Sequence, residues 1–147
     1  QAPGGIFPDQ GLKATAWWVR NHAEPDDRVF VDSAFEQYQI WYYVRRPFIG
    51  VTDAEHAEEA YLLLDEEPSP PAYFLVKPEN KDLLRKHTET MPNLLAKVMV
   101  DWQQQPALLI YGHQEGNVET IEASSANQRF DEQFGTWKAM FALGTRQ

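Results

Sequence analysis

Arg28-Val29-Phe30-Val31-Asp32 and, further along, Ala72-Tyr73-Phe74-Leu75-Val76 are the two runs whose reading decides the fold. A strand with one wet face alternates apolar and polar residues; these two are apolar on both faces, as strands covered on both sides must be. Working outward, Asp9 can cap a helix from about Gln10 to His22, with Leu12, Ala16 and Val19 on one face, before Glu24-Pro25-Asp26-Asp27 breaks it. A second helix is predicted over Ala34 to Val44, stopped by Pro47 and followed by a short strand, Phe48-Ile49-Gly50-Val51. Thr52-Asp53-Ala54-Glu55 reads as a capping box opening a helix that runs to about Asp65. Pro68, Pro70 and Pro71 then make a stiff loop into the second apolar run. Pro78 suits the first turn of a helix through about Lys86, because its missing N–H would be unpaired there anyway. Lys97 to Trp102 and Ala107 to Gly112 read as strands of an antiparallel hairpin around Gln103-Gln104-Gln105-Pro106.

The order α-β-α-β-α-β-α-β-β implies right-handed crossovers and a sheet with helices on both faces. The predicted class is α/β: a Rossmann-like, doubly wound, mainly parallel sheet ending in an antiparallel edge hairpin. Residues 1–123 form this sheet domain, and 124–147 are predicted to be a C-terminal amphipathic helix packed on it. In that tail Phe130, Phe134, Trp137 and Phe141 recur at helical spacing, while Asp131, Glu132 and Lys138 fall off the stripe. Ser124 or Ser125 can cap it and Gly144 can end it. Such a stripe needs a cover, supplied by the chain's own sheet, a second copy or a membrane part.

Composition narrows the function classes. The 147 residues suffice for one domain with a sizeable core, and 43% hydrophobic content with 5 Trp can fill it. A net charge of −9 repels phosphate backbones and excludes nucleic acid as an expected partner. No apolar run approaches the ~20 residues that span a bilayer. The absence of cysteine removes disulfide scaffolds, thiolate catalysis and zinc-thiolate sites together. The start at Gln1, without an initiator Met or a signal-like segment, predicts a fragment or processed product of a larger protein.

In open α/β sheets ligands bind beyond the carboxyl ends of the strands, here first at Asp32-Ser33-Ala34-Phe35-Glu36. A dinucleotide site needs glycines there to admit a pyrophosphate, and this turn has none; nor does the chain hold a phosphate-cradling Gly-Lys-Ser. No cofactor is therefore expected. Asp32, Ser33 and Glu36 could bind a sugar hydroxyl or an ion, and Lys77, at another strand end, could meet an anion; capping and plain solvation are the alternatives. Ser33 lacks the Gly-flanked elbow of a hydrolase nucleophile, so no catalytic residue is assigned. His22, His56, His87 and His113 form no ligand pair at helical spacing, and Asp53, His56 and Glu59 read as an exposed acidic helix face rather than a metal site. Trp41-Tyr42-Tyr43-Val44-Arg45-Arg46-Pro47 could make a stacking face for carbohydrate or a partner. The favoured reading packs Trp41 and Tyr42 on the sheet, with Arg45 and Arg46 balancing the helix C-terminus.

A helix ending in Trp18-Val19-Arg20, the strand Arg28 to Asp32, and Tyr42-Tyr43 shortly before Arg46-Pro47 and another strand together resemble one known module. It is the soluble domain that follows the transmembrane helices in bacterial lipid-linked-sugar glycosyltransferases, the family similar to dolichyl-phosphate-mannose–protein mannosyltransferases and aminoarabinose transferases. The likeness covers roughly residues 11–112, with Arg45 standing where many relatives carry a small or polar residue. It implies a periplasmic or extracytoplasmic domain, anchored through its parent, with the transmembrane part as partner and a glycan or lipid-linked sugar as acceptor. The family's catalytic acid lies in a loop between early transmembrane helices, so the resemblance carries no catalytic residue onto this chain. Its implied role is to position the acceptor or to stabilise the membrane part; the alternative is a free-standing α/β module that binds a ligand or protein.

The strand reading puts Phe74 in the sheet core beside Val29, Val31, Val76, Leu109 and Ile110. Phe74→Ala is expected to cost about 3–5 kcal/mol in denaturant unfolding, through lost burial and the cavity left behind. A cost under about 1 kcal/mol would place Phe74 outside the core.

Overall fold

The computed structural model describes residues 9–32, 37–51, 56–100 and 104–135. The two apolar runs become β1 (Val29–Val31) and β3 (Tyr73–Val76), and every residue of both is buried. They pair in parallel, Phe30 opposite Phe74 and Val31 opposite Leu75. On the other side of β1 lies the short β2 (Phe48–Ile49), also parallel. Beyond β3 come β5 (Leu108–Gly112), β4 (Asn93–Met99) and β6 (Glu119–Glu122), giving the order β2-β1-β3-β5-β4-β6. The fold is α/β with a mixed six-stranded sheet.

Two expectations change here. The antiparallel hairpin exists, but it is not at the edge: β5 runs antiparallel to both β3 and β4, inside the sheet. The edge is β6, parallel to β4, which the sequence reading left out; only its Ile121 is buried, so Glu119-Thr120-Ile121-Glu122 offers almost no apolar signal. β4 also starts at Asn93, earlier than Lys97, with a register shift between Leu94 and Ala96 that disturbs its alternation.

Alternate residues of the buried strands feed two cores. Val29, Val31, Tyr73, Leu75, Leu108 and Ile110 face a cluster with α1 (Asp9–His22), α2 (Gln37–Tyr43) and α5 (Ala123–Phe134). Phe30, Phe74, Val76, Leu109 and Tyr111 face the opposite cluster, covered by α3 (Glu58–Asp65) and α4 (Lys81–Lys86). Pro78–Asn80 forms a 3-10 turn leading into α4. α3 begins at Glu58, with Ala57 in the cap position; Thr52, Asp53 and Glu55 of the expected capping box lie outside the described residues.

Among the residues of α2 whose burial is described, Ile40 is buried, as is Val44 just past its end, while Trp41 is 62% exposed. The expectation that Trp41 packs on the sheet is therefore corrected: Ile40 and Val44, four apart, take the inward stripe and turn Trp41 outward. The helix stops at Arg45, whose φ of 55° lies in the left-handed region. Its N–H reaches the Ile40 carbonyl at 3.3 Å and its Nε donates to the Tyr42 carbonyl at 3.3 Å, partners that help hold a conformation glycine would adopt more cheaply. Gly50 is required nearby, because a Cβ there would collide with the Val31 carbonyl oxygen.

α5 lies along α1. Phe130 is fully buried and meets Tyr43 edge-on with ring centroids 5.6 Å apart. The Arg20 guanidinium sits 3.7 Å from the centre of the Phe134 ring, Lys13 pairs with Asp131 at 2.7 Å, and Asn21 and Gln133 exchange hydrogen bonds of 3.1 and 2.8 Å. The helix starts at Ala123, upstream of both expected serine caps; the Ser125 hydroxyl donates instead to the Glu122 carbonyl. It ends before Gly135, at a φ of 86°; Trp137, Phe141 and the expected terminator Gly144 lie outside the described residues. Removing residues 124–147 should uncover the α1 face and yield a destabilised or aggregating protein. A truncated chain with an unchanged melting temperature and monomeric light scattering would show that α5 is dispensable.

Candidate functional site

The β2-β1-β3 arrangement creates a switch point. The chain leaves β1 towards β2 on one side and returns to β3 on the other, so the connections that leave the carboxyl ends of β1 and β3 part in opposite directions, the position where open α/β sheets hold ligands. Asp32 stands at the end of β1, only 3% exposed. Its N–H continues the ladder to the Leu75 carbonyl at 3.1 Å. Its carboxylate accepts the Lys77 N–H at 3.1 Å on Oδ1, and the Tyr61 hydroxyl at 2.9 Å and Asn80 Nδ2 at 3.0 Å on Oδ2. One carboxylate thus joins both strand ends, the 3-10 turn and α3.

Of the residues singled out from sequence, Asp32 and Lys77 come together, but through the Lys77 backbone; the Lys77 side chain is exposed. Ser33 and Glu36 lie outside the described residues. Tyr61 and Asn80 were not anticipated. Tyr61 could have been suspected only as a polar-tipped aromatic on a buried helix face, and Asn80 offered no signal before the strand ends were placed. The Tyr61 hydroxyl is held far above the ordinary phenol range, first by burial and then by the Asp32 charge and hydrogen bond. Burial likewise raises Tyr73 and Tyr111. The Tyr111 hydroxyl is buried with no hydrogen-bond partner.

The opposite end of the sheet is built differently. Here an open cleft of about 600 Å3 lies between the end of α3, the loop after it, the turn after α4 and the residue following β5. Arg28, just before β1, rivets one wall: its guanidinium donates to the Ser69 carbonyl at 2.8 Å, the Ser69 hydroxyl at 2.9 Å and the Pro70 carbonyl at 3.2 Å, and pairs with Glu67. On the facing wall the His87 Nδ1 meets both Asp65 carboxylate oxygens at 2.9 and 3.0 Å, and its ring rests on Tyr61 with centroids 5.5 Å apart. His113 closes the far side, edge-on to Phe74 at 5.8 Å. Among the described residues no group of three or more His, Asp or Glu side chains is placed to hold a metal ion, and no helix is long and apolar enough to cross a membrane.

No protein-family model, curated protein or solved structure matches the chain. The geometry of the two sheet ends therefore carries the functional argument.

Asp32→Ala should leave the Lys77 N–H, Tyr61 hydroxyl and Asn80 amide without their acceptor, a loss of about 2–4 kcal/mol in denaturant unfolding. Tyr61 gives a pH signature as well. Its folded pKa is raised, so the stability carried by the neutral phenol is complete below the unfolded value of 10.0 and is lost as pH rises above it. In an alkaline titration followed by phenolate absorbance, Tyr61 should ionise only as circular dichroism reports unfolding, and Tyr73 and Tyr111 later than exposed tyrosines. Reversible ionisation of all 6 tyrosines in the folded protein would contradict this.

Proposed function

We propose that this chain is a non-catalytic, extracytoplasmic domain of a bacterial membrane glycosyltransferase that uses a lipid-linked sugar, and that it positions the acceptor or braces the membrane part. The observation carrying this reading is how the switch point and the family-like residues are spent. Where comparable sheets bind ligands, the Asp32 carboxylate is occupied by three internal donors. The residues bearing the family likeness also serve architecture: Arg46 donates to the carbonyls of Ala23 at 3.0 Å and Arg20 at 3.5 Å, Arg20 donates to the Tyr43 carbonyl at 3.5 Å, and the Pro47 carbonyl accepts the Val29 N–H at 2.9 Å. They tie α1, α2 and β1 into one unit, a reason for such a motif to persist in a domain that performs no chemistry.

The β2-β1-β3 half, three parallel strands with β1 central, supports a Rossmann-like reading of that half, with the antiparallel β5 as a departure from it. A second reading, a free-standing ligand- or protein-binding module, is favoured by the cleft at the other end of the sheet.

The two readings separate on the reading frame of origin: around ten apolar spans of about 20 residues upstream of Gln1 accord with the first, and a secretory signal peptide alone with the second. The purified chain is expected neither to transfer nor to hydrolyse sugar from a lipid-linked donor. Turnover abolished by replacing Asp32 or Glu36 would overturn the non-catalytic assignment.

A further inference from the structure

The cleft at the amino ends of β1 and β3 has properties that the switch point lacks. At about 600 Å3 it falls within the range of small-ligand sites, roughly 300–1,000 Å3. Its polar groups are fixed before any ligand arrives. Arg28 pins the Glu67–Pro70 wall from behind, and Asp65 orients the His87 ring, which Tyr61 supports from beneath.

The chemistry offered is that of acceptors. With Nδ1 turned to Asp65, His87 retains Nε2 as its second ring nitrogen, an acceptor in the neutral imidazole. The Thr88 hydroxyl donates its proton to the Leu84 carbonyl at 2.7 Å and keeps its lone pairs. Asp65, Glu67 and Glu89 add three carboxylates; the positive charge against Glu67 comes from Arg28 behind the wall, and the lining itself contains no lysine or arginine. Beside these acceptors, Pro68, Pro70, Pro71 and Phe74 supply an apolar surface.

We propose that this cleft binds an organic cation, a protonated amine or guanidinium carried on an apolar stem. The stem lies against the prolines, and the charged end is shared between Glu89 and the Asp65–His87 pair. Such a group reaches the cleft either as a free polyamine or as a lysine or arginine side chain of a polypeptide. Both sources present donors where the lining presents acceptors, and both bring the charge the lining lacks. The site goes beyond the non-catalytic reading and is independent of it, since it uses neither the switch point nor the residues that carry the family likeness.

The test titrates the isotope-labelled 147-residue chain with spermidine, with a capped lysine-containing tripeptide, and with neutral maltose, following amide and imidazole resonances. The expected result is saturable shifts at His87, His113 and the residues around Asp65 and Glu89 from at least one cation. Glu89→Lys, at an exposed position, should weaken binding by about tenfold or more, because it sets a tethered ammonium at the mouth. Glu58→Gln with Glu59→Gln, which removes exposed acidic charge on α3 away from the cleft lining, should leave the affinity unchanged and serves as the control for diffuse attraction to an acidic protein. Asp65→Asn adds a second reading, since it should lower affinity and shift the His87 resonances without a ligand. Binding by spermidine alone would identify the free polyamine as the source, and binding by the peptide the polypeptide side chain. Equal weakening in the Glu58/Glu59 control, absence of saturation by either cation, or preference for maltose would each overturn the proposal.

Discussion

A carboxylate removed from water is costly unless donors replace its hydration, and at Asp32 they come from three separate parts of the chain. The Lys77 N–H belongs to the end of β3, Asn80 to the turn that launches α4, and Tyr61 to α3 on the covering layer. None of these donors reaches Asp32 unless β1 and β3 are paired in register and α3 lies across them. The carboxylate thus couples strand pairing to helix packing, and loss of either strands a buried charge. The same saturation that makes Asp32 a structural hub leaves it few lone pairs for a guest, which is why a position that hosts ligands in many α/β sheets reads here as part of the frame.

The other end of the sheet is stiffened by a cation instead. Arg28 gathers the Glu67–Pro70 loop through four contacts, while the Ala72 N–H bonds the Arg28 carbonyl at 2.9 Å. β1 is only three residues long, yet it is fastened at one end by Arg28 and at the other by Asp32. Where Asp32 draws its partners inward and fastens the strand ends together, Arg28 pulls from behind a wall and leaves a space in front of it.

The central strands and most helices were legible because burial leaves its mark in sequence: Val29–Val31 and Tyr73–Val76 are apolar at every position because both faces are covered. What was not legible depended on partners distant in sequence. β6 is a strand because β4 offers it hydrogen bonds, and with Ile121 alone buried it shows no alternation worth reading. The insertion of β5 between β3 and β4 is a choice of neighbour, and a periodic pattern does not encode neighbours. Trp41 was misread because an aromatic on an amphipathic helix is usually core, whereas here Ile40 and Val44 fill the inward stripe. At the candidate sites, Asp32 was legible as a polar residue at a strand end. The Asp65–His87 pair was not, since 22 residues and an intervening strand separate its members.

The docking of α5 on α1 joins the first described helix to the last. A ribosome releases α1 before every described strand and α5 after all of them, so Phe130 arrives to cover the apolar face of α1 only once the sheet has been made. Until then a nascent chain holds the strands in hand but lacks the helix that completes one outer layer, a state exposed to association with its neighbours. Contacts between two helices this far apart in sequence close a long loop, which slows folding relative to a fold of local contacts. A permuted order of synthesis, with α5 encoded directly before α1, would let the two helices emerge together and complete that layer early.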